Sequence, residues 1–475
     1  MKNEYLLLIA VFLPIAGAFL IPVAGWISAK LRNGLALGFV LSSLIASACL
    51  IPSAISGQII TAKILFPLGF NFVLTADLLA IFMAVTSSFV GAIIVLYSFG
   101  YISHYDNQNE YYTMVVLFLG SMMGLAFSAN LIFIYIFWEI TAIASWRLIG
   151  FFREAPYVLR ADKAFLVTAG GALAMLLGFL MINQTNGSFD LAALKGAHLD
   201  NVAVFLILVG ILSKSATLPM HTWLPDAGVA PSPVTALLHA AVLVKIGVYV
   251  FARLFVATFS FGEIWYTIVP VVAAVSALVS AGAALVETDM KRIIAYSTVS
   301  QIGFILLGLS VNSAIGIAGA LLYILMHGLA KGGLFLCAGI VEQNTKTKDI
   351  TKLGGLIKTM PITAISFLVC AFSVMGIPPF GGFFSKYLVF SGAIDSGHTY
   401  IAIVFLVGAF MTVMYLFRIF NRIFLGQAQG ELAAEGSSTM IFSVAVLAAF
   451  SLIAGICISY PSVYVQSAVK QMMGS

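Results

Sequence analysis

The chain has 475 residues, of which 61% are hydrophobic and 9% charged, with a formal net charge of +5 and a mean hydropathy of +1.09. Soluble domains carry about 25% charged residues, so this sequence lacks the polar surface to face water and reads as solvated by lipid. Its basic residues are scattered rather than gathered in a patch, which excludes a nucleic-acid surface.

Each crossing needs roughly 20 apolar residues, and about fourteen such spans follow in chain order: 5–27, 33–55, 75–102, 110–128, 130–151, 162–182, 201–218, 231–256, 264–286, 292–310, 313–341, 359–394, 399–424 and 439–465. Lys2 and Glu4 precede the first, which lacks a small-residue cleavage pattern and is expected to be a span rather than a leader. The polar interludes near 56–74, 183–201, 341–358 and 426–438 are too short for a separate domain. The expected fold class is therefore all-α integral membrane, one polytopic domain over 1–475. Cys49, Cys337, Cys370 and Cys457 stand singly in apolar segments, with no disulfide, zinc or iron–sulfur spacing.

Basic residues fix an orientation. The connections after spans 1, 5, 9, 11 and 13 hold thirteen: Lys30, Arg32, Arg153, Arg160, Lys163, Lys291, Arg292, Lys346, Lys348, Lys352, Lys358, Arg418 and Arg422. The opposite side has Lys2, Lys63, Lys195, Arg253 and Lys470. The positive-inside rule then places the chain in the cell (cytoplasmic) membrane with both termini outside the cytoplasm.

Spans 7 and 12 are interrupted alike. Span 7 meets Pro219 and runs on as MHTWLPDAGVAPSP to Pro233, while span 12 carries MGIPPFGGFFSK, with Pro378, Pro379, Gly381 and Gly382 in mid-span. Proline removes a backbone donor, and unsatisfied backbone at membrane depth survives only inside protein or beside a wet cavity. Two such breaks five spans apart are the signature of inverted repeats. Spans 1–3 occupy 1–103, the first repeat (spans 4–8) 110–256, the second (spans 9–13) 264–424, and span 14 439–465.

A charge deep in a bilayer is costly and is usually functional. Glu139 lies mid-way along LIFIYIFWEITAIASW, and Lys214 stands just before the first break. Such a pair would share coupled protonation, as a gated proton carrier needs. His239 and Lys245 lie in span 8, and Tyr323, His327 and Lys331 recur at four-residue spacing along one face of span 11. Lys386 follows the second break, where Gly381 and Gly382 are expected to leave room for water. Arg147, eight residues after Glu139, either pairs with it or reaches the interface. Asp226, with Trp223 and Pro231, is expected to shape the connection after span 7, and His221 is a secondary titratable group there. No HExxH, CxxC or phosphate-cradling glycine loop is present, so neither metal nor organic cofactor is expected.

The segments WEITAIASWRLIGFF, LSKSATLPMHTWLPDAGVAPSPVTALLHAAVLVKIGVYVFARL, ETDMKRIIAYSTVSQIGF, HGLAKGGLFLCAGI and MGIPPFGGFFSKYLVF resemble, across nearly the whole chain, one membrane family. It comprises the antiporter-like subunits of respiratory complex I, of Mrp-type Na+/H+ antiporters and of membrane-bound energy-converting hydrogenases. The resemblance implies fourteen helices with inverted five-helix repeats and broken helices 7 and 12. It implies that Glu139, Lys214, His239, Lys245, His327, Lys331 and Lys386 are the family's proton-pathway positions. It also implies a proton-translocating subunit, with Na+/H+ antiport as a further expectation, whose partners are other membrane subunits of the same complex, related antiporter-like subunits among them. Two departures stand out. Arg147 replaces an uncharged residue, and the chain ends without the long lateral helix of one complex I subunit. The alternative, a stand-alone transporter of a small solute, needs a substrate-specific pocket rather than titratable residues strung across many helices.

Overall fold

A computed structural model describes residues 3–66, 70–427 and 434–474. Lys2 and parts of the interludes 56–74 and 426–438 therefore lie outside the described residues.

The chain opens with α1 (Asn3–Ile27), α2 (Ala29–Cys49) and the short α3 (Ile51–Ile55). A hairpin follows, β1 (Ile60–Ile64) antiparallel to β2 (Phe72–Ala76), in register from Ile60 opposite Ala76 to Ile64 opposite Phe72. Then come α4 (Leu78–Tyr101), α5 (Gln108–Phe127), α6 (Leu131–Ile149), α7 (Ala155–Asn186), α8 (Asn201–Lys214), α9 (Trp223–Asp226), α10 (Ser232–Ala236) and α11 (Leu243–Phe251). The rest is α12 (Trp265–Val286), α13 (Met290–Ser310), α14 (Ala314–Thr345), α15 (Pro361–Met375), α16 (Gly381–Asp395), α17 (Thr399–Phe420), α18 (Ser438–Ile456) and α19 (Ser459–Met473).

Twelve helices among the described residues are long and apolar enough to cross a membrane, so the chain is a multi-pass integral membrane protein. Predicted spans 7 and 12 are the two that fall short, because each is divided: α8 then α9, and α15 then α16. Predicted span 8 is α10, a π turn (Leu237–Ala241), α11 and a second π turn (Ala252–Val256).

Two expectations are corrected. The interlude 56–74 contains most of the hairpin, which no helical pattern signals. Span 14, expected over 439–465, ends at Ile456, and α19 begins at Ser459 with Pro461 in its first turn. Proline has no N–H to continue the preceding ladder but suits a helix start. α19 crosses the start of α4, where Tyr464 Oη donates to the Leu78 carbonyl (2.9 Å) and the Leu78 N–H donates to Gln471 Oε1 (2.9 Å).

Polar residues stop the helices at the two faces. Asp77, Asn130, Asp200 and Ser313 cap α4, α6, α8 and α14 on the hairpin side, and Ser28 and Asp289 cap α2 and α13 on the face rich in lysine and arginine. Between the faces, α14 is the axis of the molecule, packed by α4, α13, α15, α16 and α18. It is buried almost throughout, as are α4, α10, α11 and α13. By contrast α7, α12 and α17 turn apolar side chains outward (Leu159, Leu166, Leu173; Val275, Val279; Ile403, Phe410). Lipid tails are as apolar as leucine, so this exposure is unpenalised.

Candidate functional site

The first break is built by its own backbone. α8 ends at Lys214, Ala216 takes a positive φ of 52°, and Pro219 follows a cis bond. Groups freed by the break find local partners: the Leu218 N–H donates to Ser276 Oγ of α12 (3.2 Å), and Trp223 Nε1 donates to the Ser213 carbonyl (3.0 Å). Lys214 is fully buried. Its ammonium donates to the Trp138 carbonyl of α6 (3.0 Å) and lies 5.3 Å from the Trp138 ring centroid, within cation–π range. Glu139 is half-buried, and its enclosed Oε1 has no hydrogen-bond partner among the described residues. The expected direct pair is therefore absent: the carbonyl of the residue before Glu139, not its carboxylate, takes the ammonium.

At the second break α15 ends on Gly376 (φ +82°), and Pro378 and Pro379 separate it from α16. Lys386 of α16 reaches back across the gap and donates to the Val374 carbonyl (2.7 Å). A Cβ at Gly376 would stand 3.2 Å from Lys386 Cδ, so the glycine supplies both the turn and room for the lysine. Gly381 and Gly382 act otherwise than expected. Side chains there would collide with Met326 Sδ and the Ser373 carbonyl, so these glycines close the packing rather than leave space for water.

Beside Lys386 a hydrogen-bonded chain runs from Tyr323 to Lys331. The Lys386 ammonium lies 4.7 Å from the Phe304 ring centroid and 5.6 Å from that of Tyr323. Tyr323 Oη donates to Gln301 Oε1 (2.5 Å), and Gln301 Nε2 donates to Tyr415 Oη (3.4 Å) and Thr412 Oγ1 (3.2 Å). Tyr415 Oη in turn donates to Ser297 Oγ (2.7 Å), which also accepts from Lys331 Nζ (2.6 Å). Lys331 donates further to the Ile294 carbonyl (3.1 Å). Spans 10, 11, 12 and 13 all contribute.

Between these regions lie three more groups. Lys245 donates to the Ala240 carbonyl, at the end of a π turn whose shifted register sends the Val242 N–H back to the Leu237 carbonyl (3.0 Å). His239 is in that turn, its ring centroid 4.4 Å from that of Phe335, and His327 is 5.9 Å from Tyr323. Both histidines are fully buried, and none of their four ring nitrogens has a hydrogen-bond partner among the described residues.

The secondary residues lie apart. Arg147 pairs with Glu110, as Arg153 does, and not with Glu139. Asp226 accepts from Lys163 (2.7 Å) and Arg292 (2.8 Å), clamping α7, α9 and α13 at the basic face. Beside it, burial pushes the Glu287 carboxyl up, but hydrogen bonds from Arg292 and from the Asp289 and Thr288 N–H groups outweigh that and hold it below its usual range. His221 Nδ1 is enclosed without a partner. Sequence alone does not single out Gln301, Ser297 or Tyr415, whose one signal is polarity inside apolar spans. It also reads Lys291 and Arg253 only as orientation signals at the two faces. Instead Lys291 is buried against Glu342 (3.1 Å) and the Ala230 carbonyl (2.7 Å), and Arg253 is buried against Asp77.

Residues 128–412 match the family described as NADH:quinone oxidoreductase/Mrp antiporter, transmembrane. Residues 66–112 match the N-terminal region of chain 5 of NADH-ubiquinone oxidoreductase (complex I). Over 98% of its length the chain is 33% identical to Na(+)/H(+) antiporter subunit A1 of Staphylococcus haemolyticus, and over 99% it is 32% identical to the Staphylococcus aureus subunit of that name. It spans 62% and 63% of those relatives. In fold it is similar to a chain of the Mrp complex from Dietzia sp. DQ12-45-1b (TM-score 0.90, 22% identity, 100% of this chain and 98% of that one). A chain of the archaeal membrane-bound sulfane sulfur reductase is similar too (TM-score 0.88, 21% identity, 98% and 97%).

Proposed function

We infer the function from one premise: this chain belongs to the NADH:quinone oxidoreductase/Mrp antiporter transmembrane family. On our reading it is a proton-translocating subunit of a multi-subunit membrane complex, and the curated relatives favour Na+/H+ antiport as that complex's activity. Of fourteen crossings, two made by the broken pairs, ten (spans 4–8 and 9–13) form two inverted five-span units, with the basic face in the cytoplasm and both termini outside. Glu139, Lys214, His239, Lys245, His327, Lys331 and Lys386 carry the proton, with Tyr323 and Gln301 as relays.

One observation carries this reading. Four fully or almost fully buried lysines, Lys214, Lys245, Lys331 and Lys386, each donate to a backbone carbonyl, and none is held by a carboxylate among the described residues. A lysine kept only for packing would be expected to have a counter-ion, since an unpaired buried charge is costly. A lysine that alternately holds and yields a proton must not be locked to one. Lys386 is the terminal site of the subunit, facing the next subunit or one side of the membrane. Lys214→Ala and Glu139→Ala in the intact complex, reconstituted in vesicles, should each lose most ion flux while assembly stays largely intact. Near-normal flux in both at equal complex content would sink the assignment.

A further inference from the structure

We propose that Tyr249, Arg253 and Asp77 form a gate through which the lysine row, at Lys245, communicates with a cavity on the hairpin face. The inference rests on the proton-carrying reading above and adds a mouth to it. Lys245, Tyr249 and Arg253 recur every four residues, so they share one side of span 8. Arg253 confirms the alignment, since its Nη2 and Nε donate to Tyr249 Oη (3.0 and 3.3 Å). The same Nη2 donates to Asp77 Oδ1 (2.8 Å), and Nη1 pairs with Asp77 Oδ2. One guanidinium nitrogen therefore stands between the phenol and the carboxylate. Beyond it opens a cavity of about 370 Å³ lined by Lys63, Thr75, Asp77, Asp190, Arg253 and Thr258. Asp77 and Arg253, 15% and 11% exposed at their side chains, are the inner end of this opening.

Backbone geometry points the same way. Span 8 has two π turns, one holding His239 and the other holding Arg253, with Lys245 between them. Such turns lose regular hydrogen bonding and concentrate at functional sites. Arg253 also has somewhere to go. Asp190 on the same cavity accepts from Asn130 (2.6 Å), Asn71 (3.1 Å) and, at 3.4 Å, Lys63, so it offers a released guanidinium a second carboxylate.

With the pair closed, the guanidinium covers Tyr249 and its charge opposes the passage of a cation. Opening requires Arg253 to move off the phenol it covers, at the cost of separating a buried ion pair. Once it has moved, the Lys245 ammonium passes a proton, directly or through water, to the Tyr249 oxygen as the hydroxyl hydrogen turns from the Ala126 carbonyl, to which it is donated in the closed state, and leaves for a water in the cavity. Lys245 ends as a neutral amine, Tyr249 keeps one hydrogen, and the hydronium formed is stabilised by Asp77. The reverse sequence loads Lys245 from the hairpin face. A static latch would use the Asp77–Arg253 pair to hold the start of α4 against the end of span 8, and the Tyr249 hydroxyl, which donates to the Ala126 carbonyl, to hold α5 there as well; only the gate makes transport depend on that hydrogen.

Flux per assembled complex separates the two. In vesicles containing the intact complex, Tyr249→Phe keeps the ring and should lower ion flux about tenfold or more, as loss of a proton relay does. In Thr61→Cys, on the exposed rim of the cavity, a membrane-impermeant cationic thiol reagent added at the hairpin face should block flux. Lys214→Ala is measured alongside. If it loses flux while Tyr249→Phe transports within about twofold of the parent, the gate is wrong and the lysine row stands. If Lys214→Ala also transports normally, both readings fall. Should Tyr249→Phe not assemble, the thiol arm decides: block supports the gate, and unimpeded flux in fully labelled complex overturns it.

Discussion

The two helix breaks solve one problem with different chemistry. At the first, the lysine precedes the break, is moored on another helix through the Trp138 carbonyl, and has the Glu139 carboxylate one residue away from that mooring. At the second, the lysine follows the break, is moored on the other half of its own span through Val374, and faces the rings of Phe304 and Tyr323. The first turn runs through an alanine at φ 52°, the second through a glycine at φ +82°. A lysine beside broken backbone is thus common to both. The difference lies in the neighbour, a charge in the first and a neutral hydrogen-bonded chain in the second; on the reading proposed above, that neighbour decides when the lysine yields its proton.

The largest expected effects test that difference directly. Lys386→Leu should reduce ion flux more than about tenfold, whereas Lys386→Glu should keep a measurable fraction, since a titratable group remains. Lys214→Glu should keep none, because two carboxylates would then oppose each other around Trp138. Equal behaviour of the two glutamate variants would remove the distinction between the breaks. Next, Gln301→Leu severs the path from Tyr323 to Tyr415 and should slow flux by about tenfold. The complex should assemble normally, as judged by co-purification of its subunits.

Smaller effects concern stability, read by thermal unfolding of the purified complex. Gly376→Ala forces a Cβ into left-handed backbone and towards Lys386, which should cost about 1–3 kcal/mol. Ser276→Ala removes the partner of the Leu218 N–H and should cost about 1–2 kcal/mol with flux little changed. Ala216→Gly should be neutral or stabilising by up to about 1 kcal/mol, since it relieves the positive φ. Strong destabilisation there would mean that the Ala216 methyl, fully buried, matters more than its backbone.

What could be read from sequence follows the cost of burying charge. Lys214, Lys245, Lys331 and Lys386 announce themselves because hydrocarbon penalises an ammonium, and Pro219 and Pro378 because they interrupt long apolar runs. Neutral polar residues carry no such penalty when they bond to their own helix, so Ser297, Gln301 and Tyr415 look like ordinary members of their spans until folding brings residues 118 positions apart together. The Asp77–Arg253 pair joins residues 176 apart in the same way. Arg253 and Lys291 lie within a turn of a span end, where sequence reads a basic residue as an orientation signal. Pro461 was the local cue to the division between α18 and α19, masked by the apolar run before it.

The backbone carbonyls that moor the four lysines have a further consequence. A carbonyl is a fixed dipole: it can hold an ammonium in place, yet at any ordinary acidity it cannot take the proton, nor can it drift away with it. Each loaded site is therefore anchored but not neutralised by its mooring. Among the described residues Glu139 is the one carboxylate adjoining a mooring point of the row, so four loaded lysines would face a single compensating charge. Filling one site raises the cost of filling the next. On the proton-carrying reading proposed above, protons then advance as a queue, each arrival displacing the one ahead, and a change of voltage or occupancy at one end of the row is felt at the other without any helix having to travel the distance between them.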